Sequence, residues 1–295
     1  FKIPYLPYFF LYFCKLIICI MEKKKILYIS QEIFPYMDQS SMGDLSSALP
    51  QLMQEDGKDI RIFLPRFGTV NERRHQLHEV IRLSGMNLII DDFDHQLIIK
   101  VASIQQQRMQ VYFIDNEEFF PRRQMFHDSN GDLLANNDER MIFYCKGVIE
   151  TVRKLGWSPD IIHCQGWFTS LVPMYIKKLY SEDPLFENTK VIYSVFDNGY
   201  EGKLSDTIID KLLFENLEAS ELALLKGLDS ETLYKFAISY SDAVIQASSN
   251  INTDLINSIE KSGKPFLKYP GDENYEKSYL QFYDDFINEE EEVEV

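Results

Sequence analysis

The sequence predicts an α/β fold with a doubly wound, mostly parallel sheet. Two observations carry this. Five short β-branched, apolar runs bounded by turn residues recur along the chain, and they read as strands buried on both faces. Amphipathic helical stripes lie between them, and strand alternating with helix implies right-handed crossovers.

The strand runs are Lys24–Ser30 (KKILYIS), Asp59–Pro65 (DIRIFLP), Asp160–Gln165 (DIIHCQ), Lys190–Phe196 (KVIYSVF) and Asp242–Ser248 (DAVIQAS). Leu45, Ala48, Leu49, Leu52 and Met53 form one helical stripe, and Met141 to Leu155 and Leu171 to Leu179 form others. From Val80 to Asp115 the pattern changes. HEVIRLSG, HQLIIKVASI and RMQVYFID read as consecutive strands without a helix between them, so an antiparallel β insertion is expected. Asp91, Asp92 and Asp94 sit in a joint of that insertion and suit turn chemistry better than a cation site. Past Lys261 an aromatic, helical tail packs back on the sheet and ends in EEEEVEV. The domain plan is therefore residues 1–20 as a leader, 21–262 as the α/β domain, and 263–295 as the tail.

The chain has 295 residues, 45% of them hydrophobic, enough for a sizeable core. Forty-six acidic against 30 basic side chains give a formal charge of −16, a field that repels nucleic acid and anionic lipid. Cys14, Cys19, Cys145 and Cys164 have no metal-type spacing, and the five histidines are scattered, so no metal site, no cofactor and no disulfide framework are expected. The apolar start FKIPYLPYFFLYFCKLIICI is broken by Pro4, Pro7 and Lys15, and Met21 opens a normal α/β beginning. Residues 1–20 are read as translated upstream sequence in a cytoplasmic protein. The alternative is a genuine anchor, the one case in which a membrane partner is expected.

In open α/β sheets, ligands collect at the carboxyl ends of strands, where a helix N-terminus offers N–H groups to an anion. Glu32 to Pro50 occupies that place. SQEIFPYMDQSSMGDLSSALP and the strand ending at Pro65 resemble the start of bacterial glycogen and starch synthases, with S-E-x-x-P, K-x-G-G-L-x-D-V and A-L-P in order. VYFIDNEEFFPRRQMFHDSNGDLLANNDERMIFYCKG, DIIHCQGWFTSLVP and VIYSVFDNGYEGKL resemble three later motifs of that family, so the likeness runs from Met21 to about Ser262.

The resemblance implies the Rossmann-like N-terminal half of a GT-B glycosyltransferase, the half that mainly holds the acceptor. The family transfers glucose from ADP-glucose to an α-1,4-glucan. Carried over position by position, it implies that Glu32, Asp44, His163, Trp167 and Tyr200 bind glucan. Structural readings stand beside these: a solvated carboxylate for Glu32, a helix-dipole partner for Asp44, a core histidine for His163 and a packing role for Trp167.

The likeness breaks at particular positions. The family's phosphate-loop lysine aligns with Asp38 and its two glycines with Ser40 and Ser41, a degenerate phosphate loop. The second histidine of H-x-H-D-W is Gln165, its aspartate is Gly166, and the donor-side histidine is Phe196, which leaves no catalytic residue to name. Arg122 and Arg123 offer a phosphate contact or two solvated side chains. The expected function is an acceptor-side domain that binds glucan or regulates its metabolism, with ADP-glucose held weakly or not at all. A glucosyltransferase completed in trans by a C-terminal-lobe partner, and a scaffold or interaction module, are the alternatives.

Overall fold

A computed structural model describes residues 23–104, 109–121, 124–215, 217–271 and 273–288. The leader 1–20, Arg122, Arg123 and the acidic terminus lie outside these residues.

One large sheet organises the molecule. Its strands are β1 (Lys25–Ser30), β2 (Asp59–Pro65), β3 (His78–Glu79), β4 (Met86–Ile90), β5 (Phe93–Ile104), β6 (Met109–Asp115), β7 (Ile161–Gln165), β8 (Lys190–Val195), β9 (Ala243–Gln246) and β10 (Phe266–Leu267). They lie in the order β10-β9-β8-β7-β1-β2-β6-β5-β3, with β4 paired to β5. From β10 to β6 every pairing is parallel. Strands β3, β4 and β6 each pair antiparallel with β5. The expected insertion is thus antiparallel internally but continuous with the main sheet, because β6 docks parallel on β2. Asp91 and Asp92 form the two-residue turn of the β4–β5 hairpin, with Asp91 at φ 55°.

One expected strand is corrected. Only His78 and Glu79 of HEVIRLSG pair with β5; at Val80 the chain turns, its carbonyl accepting from Leu83 and Ser84 N–H. Gly85, at φ 84°, redirects it into β4, which the sequence reading did not separate.

The helices are α1 (Ser41–Glu55), α2 (Asn137–Leu155), α3 (Val172–Lys178), α4 (Thr207–Leu213), α5 (Ser230–Tyr240), α6 (Thr253–Lys261) and α7 (Tyr275–Asn288). Alternation along the strands divides the core in two. Leu27, Ile29, Ile162, Cys164, Tyr193 and Val244 face the layer of α2 to α6. Ile26, Tyr28, Ile161, Ile192, Ala243 and Ile245 face α1 and α7. Helix α7 covers that face with Tyr279, Tyr283 and Phe286, spaced four and three residues apart on one stripe. Lys58 bonds Asp284 at 2.9 Å, and Lys190 Nζ donates to the Phe286 carbonyl at 3.0 Å, fixing the C-terminal half of the helix. The sheet itself continues past residue 262, since β10 pairs with β9.

Strands β2 and β7 flank β1, and their crossover helices α1 and α3 lie on opposite faces, so the topological switch point falls beside β1. Among the described residues no helix is long and apolar enough to cross a membrane.

Candidate functional site

At the carboxyl end of β1 the chain arches through residues 31–40 and re-enters as α1. Ser40 is the N-cap of that helix: its backbone is extended (φ −147°, ψ 158°) and its Oγ accepts from the Gly43 N–H at 2.9 Å. The same hydroxyl donates to Glu32 Oε2 at 2.8 Å. Glu32 Oε1 accepts from Gln31 Nε2 at 3.3 Å and from Asn198 Nδ2 at 3.4 Å. Glu32 therefore ties together the β1 end, the helix cap and the turn after β8.

This carboxylate opens on a cleft of about 550 Å³ whose walls include Tyr36, Asp38, Gln39, Arg74, His75 and His127. Asp38 is exposed on the rim. Burial, and then the charge of Arg74, push His75 below its ordinary pKa, and its ring meets Tyr36 edge-on at 4.9 Å. Asp44 lies on the other side of the Ser40–Ser41 turn. It lines a separate groove of about 300 Å³ with Ser41 and residues of the tail, and its Oδ2 accepts from Gln39 Nε2 at 3.1 Å.

Three of the five residues expected to contact glucan are buried in the structure. His163 is fully buried under α7, with Nε2 2.6 Å from Ser194 Oγ and Nδ1 2.5 Å from Tyr283 Oη. Burial pushes its pKa down to about 3, so it stays neutral in the folded protein. Trp167 is 1% exposed, wedged 4.7 Å from the rings of both Phe126 and Tyr200. Tyr200 is itself buried and donates its hydroxyl to the Leu228 carbonyl at 2.7 Å. Aromatic packing and internal hydrogen bonds occupy these faces, which leaves Glu32 and Asp44 at surfaces a ligand can reach.

The substituted positions have their own geometry. Gly166 lies at φ 84°, ψ 165°, a region open essentially to glycine alone. A Cβ built there would lie 2.5 Å from Gln31 Oε1 and 2.6 Å from Met42 Cε. Gln31 cannot retreat freely, because its Oε1 accepts from the Phe168 N–H at 3.1 Å. Phe196 is 2% exposed and its carbonyl accepts from Tyr234 Oη. No group of three or more His, Cys, Asp or Glu side chains is placed to hold a metal among the described residues.

Residues 25–264 match the family profile of the starch synthase catalytic domain. The chain belongs to this family. The glycogen synthase of Chlorobium limicola (strain DSM 245 / NBRC 103803 / 6330) is 34% identical over 225 residues, 76% of this chain and 45% of that protein. The glycogen synthase of Chlorobaculum tepidum (strain ATCC 49652 / DSM 12025 / NBRC 103806 / TLS) is 36% identical over 209 residues, 68% of this chain and 43% of that one. The chain thus spans less than half the length of these curated relatives. Among solved structures, the catalytic domain of starch synthase IV from Arabidopsis thaliana, bound to ADP and acarbose, superposes with a TM-score of 0.68 at 18% identity. That match covers 84% of this chain and 51% of the plant one. The fold is therefore the α/β fold of the GT-B starch synthase catalytic domain.

In this starch synthase family member the network around Glu32 includes residues the motifs did not announce. Asn198 sits 166 positions from Glu32 and also donates to Met42 Sδ at 2.9 Å. Arg74, His75 and His127 reach the same cleft from two other loops. Their only sequence signal is a position in turns after strands of the sheet.

Proposed function

We propose that this chain binds α-1,4-glucan in the acceptor role of its family and holds nucleotide sugar weakly or not at all. The observation that carries the reading is the capping of the α1 N-terminus by Ser40 with a carboxylate directly behind it. Ser40 takes the Gly43 N–H, and Glu32 stands at 2.8 Å behind it. A phosphate oxygen approaching this turn would meet a capped helix end and the carboxylates of Glu32 and Asp38, where a phosphate site needs free N–H groups and a cation. Neutral hydroxyls suit the same carboxylates as hydrogen-bond donors. Phe196, buried at the position where the resemblance implies a donor-side histidine, supports the same assignment.

On this reading, glucosyl transfer depends on a nucleotide-binding lobe other than the residues described, in this protein or in a partner chain, and the setting is the cytoplasm. Calorimetric titration of the full chain with maltoheptaose and, separately, with ADP-glucose tests it. Saccharide binding without nucleotide-sugar binding is the expected result. Micromolar ADP-glucose binding, or no saccharide binding, overturns the reading.

A further inference from the structure

We propose a second saccharide site in the groove between α1 and the tail, separate from the Glu32 cleft. Its floor and walls come from Asp44 and Leu45 of α1 and from Tyr269, Pro270, Tyr275 and Tyr279 of the tail. All four tail residues lie beyond residue 264, where the family match ends. One wall of the groove is thus built from residues outside the family match.

Its chemistry selects a neutral, hydroxylated ring. No lysine or arginine lines it, so nothing there neutralises a phosphate or carboxylate. The lining is largely apolar and aromatic, and its polar side-chain groups are the Asp44 carboxylate, the Ser41 hydroxyl and the tyrosine hydroxyls. Pyranose rings present apolar C–H faces to aromatic side chains and hydroxyls to carboxylates, and this set offers both partners. Asp44 Oδ2 accepts from Gln39, and Oδ1 accepts no hydrogen bond from the described residues, which leaves it for a sugar hydroxyl. Tyr275 and Tyr279 meet edge-on at 6.4 Å, which holds the half-buried Tyr275 ring at the groove while Tyr279 anchors in the core. The volume of about 300 Å³ is at the small end for ligand sites and matches a short saccharide segment.

The inference extends the saccharide reading above but draws on different residues, and one experiment separates them. Maltotriose is titrated into the full chain while backbone amide shifts are followed at Ala247 and Gly271, which line the groove, and at Thr69 and Asn71, which line the Glu32 cleft. The groove amides are expected to shift saturably. Tyr275→Ala weakens that response about tenfold or more, while Tyr275→Phe, which keeps the ring, stays within about twofold of the wild type. Asp44→Asn, which leaves the rings in place, weakens it several-fold. Shifts confined to Thr69 and Asn71 would overturn the groove and leave the Glu32 cleft standing. Inorganic phosphate moving Ala247 and Gly271 as strongly as maltotriose would overturn the selectivity, and silence at all four amides would overturn both sites.

Discussion

Tyr283 Oη lies 2.5 Å from His163 Nδ1, joining the C-terminal helix α7 to the strand β7 120 residues earlier. Ser194 Oγ, 2.6 Å from Nε2, completes the ring's partners, and both hydroxyls are buried. A neutral imidazole satisfies this arrangement with one donor and one acceptor, whereas a protonated ring would place a charge in the core.

Stability should consequently fall with acid. His163 is held near 3 when folded and returns to about 6.5 when unfolded, so between those values the unfolded chain binds the extra proton and stability is lost as pH drops. The contribution present above pH 6.5 declines by about 3 kcal/mol by pH 4. Urea unfolding of wild type and His163→Asn across pH 4–7.5 checks this: the variant should lack that part of the slope.

Tyr283→Phe keeps the ring and removes the hydroxyl, leaving a buried imidazole nitrogen without its partner. A loss of about 1–3 kcal/mol is expected. Tyr283→Ala, which also opens a cavity under α7, should lose about 3–5 kcal/mol in the same assay.

Gly166 cannot regain a side chain. Gly166→Asp, which installs the residue that the family resemblance implies, combines a glycine-only backbone with a clash against Gln31 and Met42. A destabilisation of 3 kcal/mol or more, or failure to accumulate folded protein, is expected from about 1–3 kcal/mol of backbone strain with overpacking added. Thermal unfolding with near-ultraviolet circular dichroism reports it.

At the arch, Asp38→Lys replaces repulsion by attraction on the exposed rim. At an effective dielectric of about 20 a contact of this kind is worth roughly 4 kcal/mol per unit charge at 4 Å, and solvent leaves about half, so ADP binding should improve by up to about thirtyfold. Ser40→Ala should lower stability by about 1 kcal/mol through loss of the cap, and it frees Glu32 Oε2. Calorimetry with ADP and urea unfolding measure the two effects.

Much of the parallel sheet was legible because its strands are buried on both faces and read as unbroken apolar runs. Asp59–Pro65 coincides with β2; β1, β7 and β8 each differ from their runs by one residue at one end, and β9 is shorter by one residue at its start and two at its close. Strand β4 was not separated from its surroundings. Val80, Ile81 and Leu83 imitate a strand, yet Val80 begins a turn, and Ile81 is 83% exposed. Strand β10 has two residues and no period to detect. An aromatic, helical tail packing back on the sheet was expected, but that α7 lands on Tyr28 and His163 is a long-range fact.

The site divides in the same way. Motif spacing singled out Glu32 and Asp44. It could not tell that His163, in the middle of β7, and Trp167, two residues past its end, point into opposite core layers, because a strand buried on both faces lacks the polar alternation that would distinguish them. Asn198 became part of the Glu32 network only through folding.

The covering of Tyr28, Ile161 and Ile192 by α7 also sets the order in which the protein can mature during synthesis. Helix α1 emerges early, but Tyr279, Tyr283 and Phe286 leave the ribosome last among the described core residues. Until then, one face of an otherwise assembled sheet remains uncovered. A nascent chain interrupted before Phe286 leaves this apolar face exposed to the chaperones and proteases that bind such surfaces.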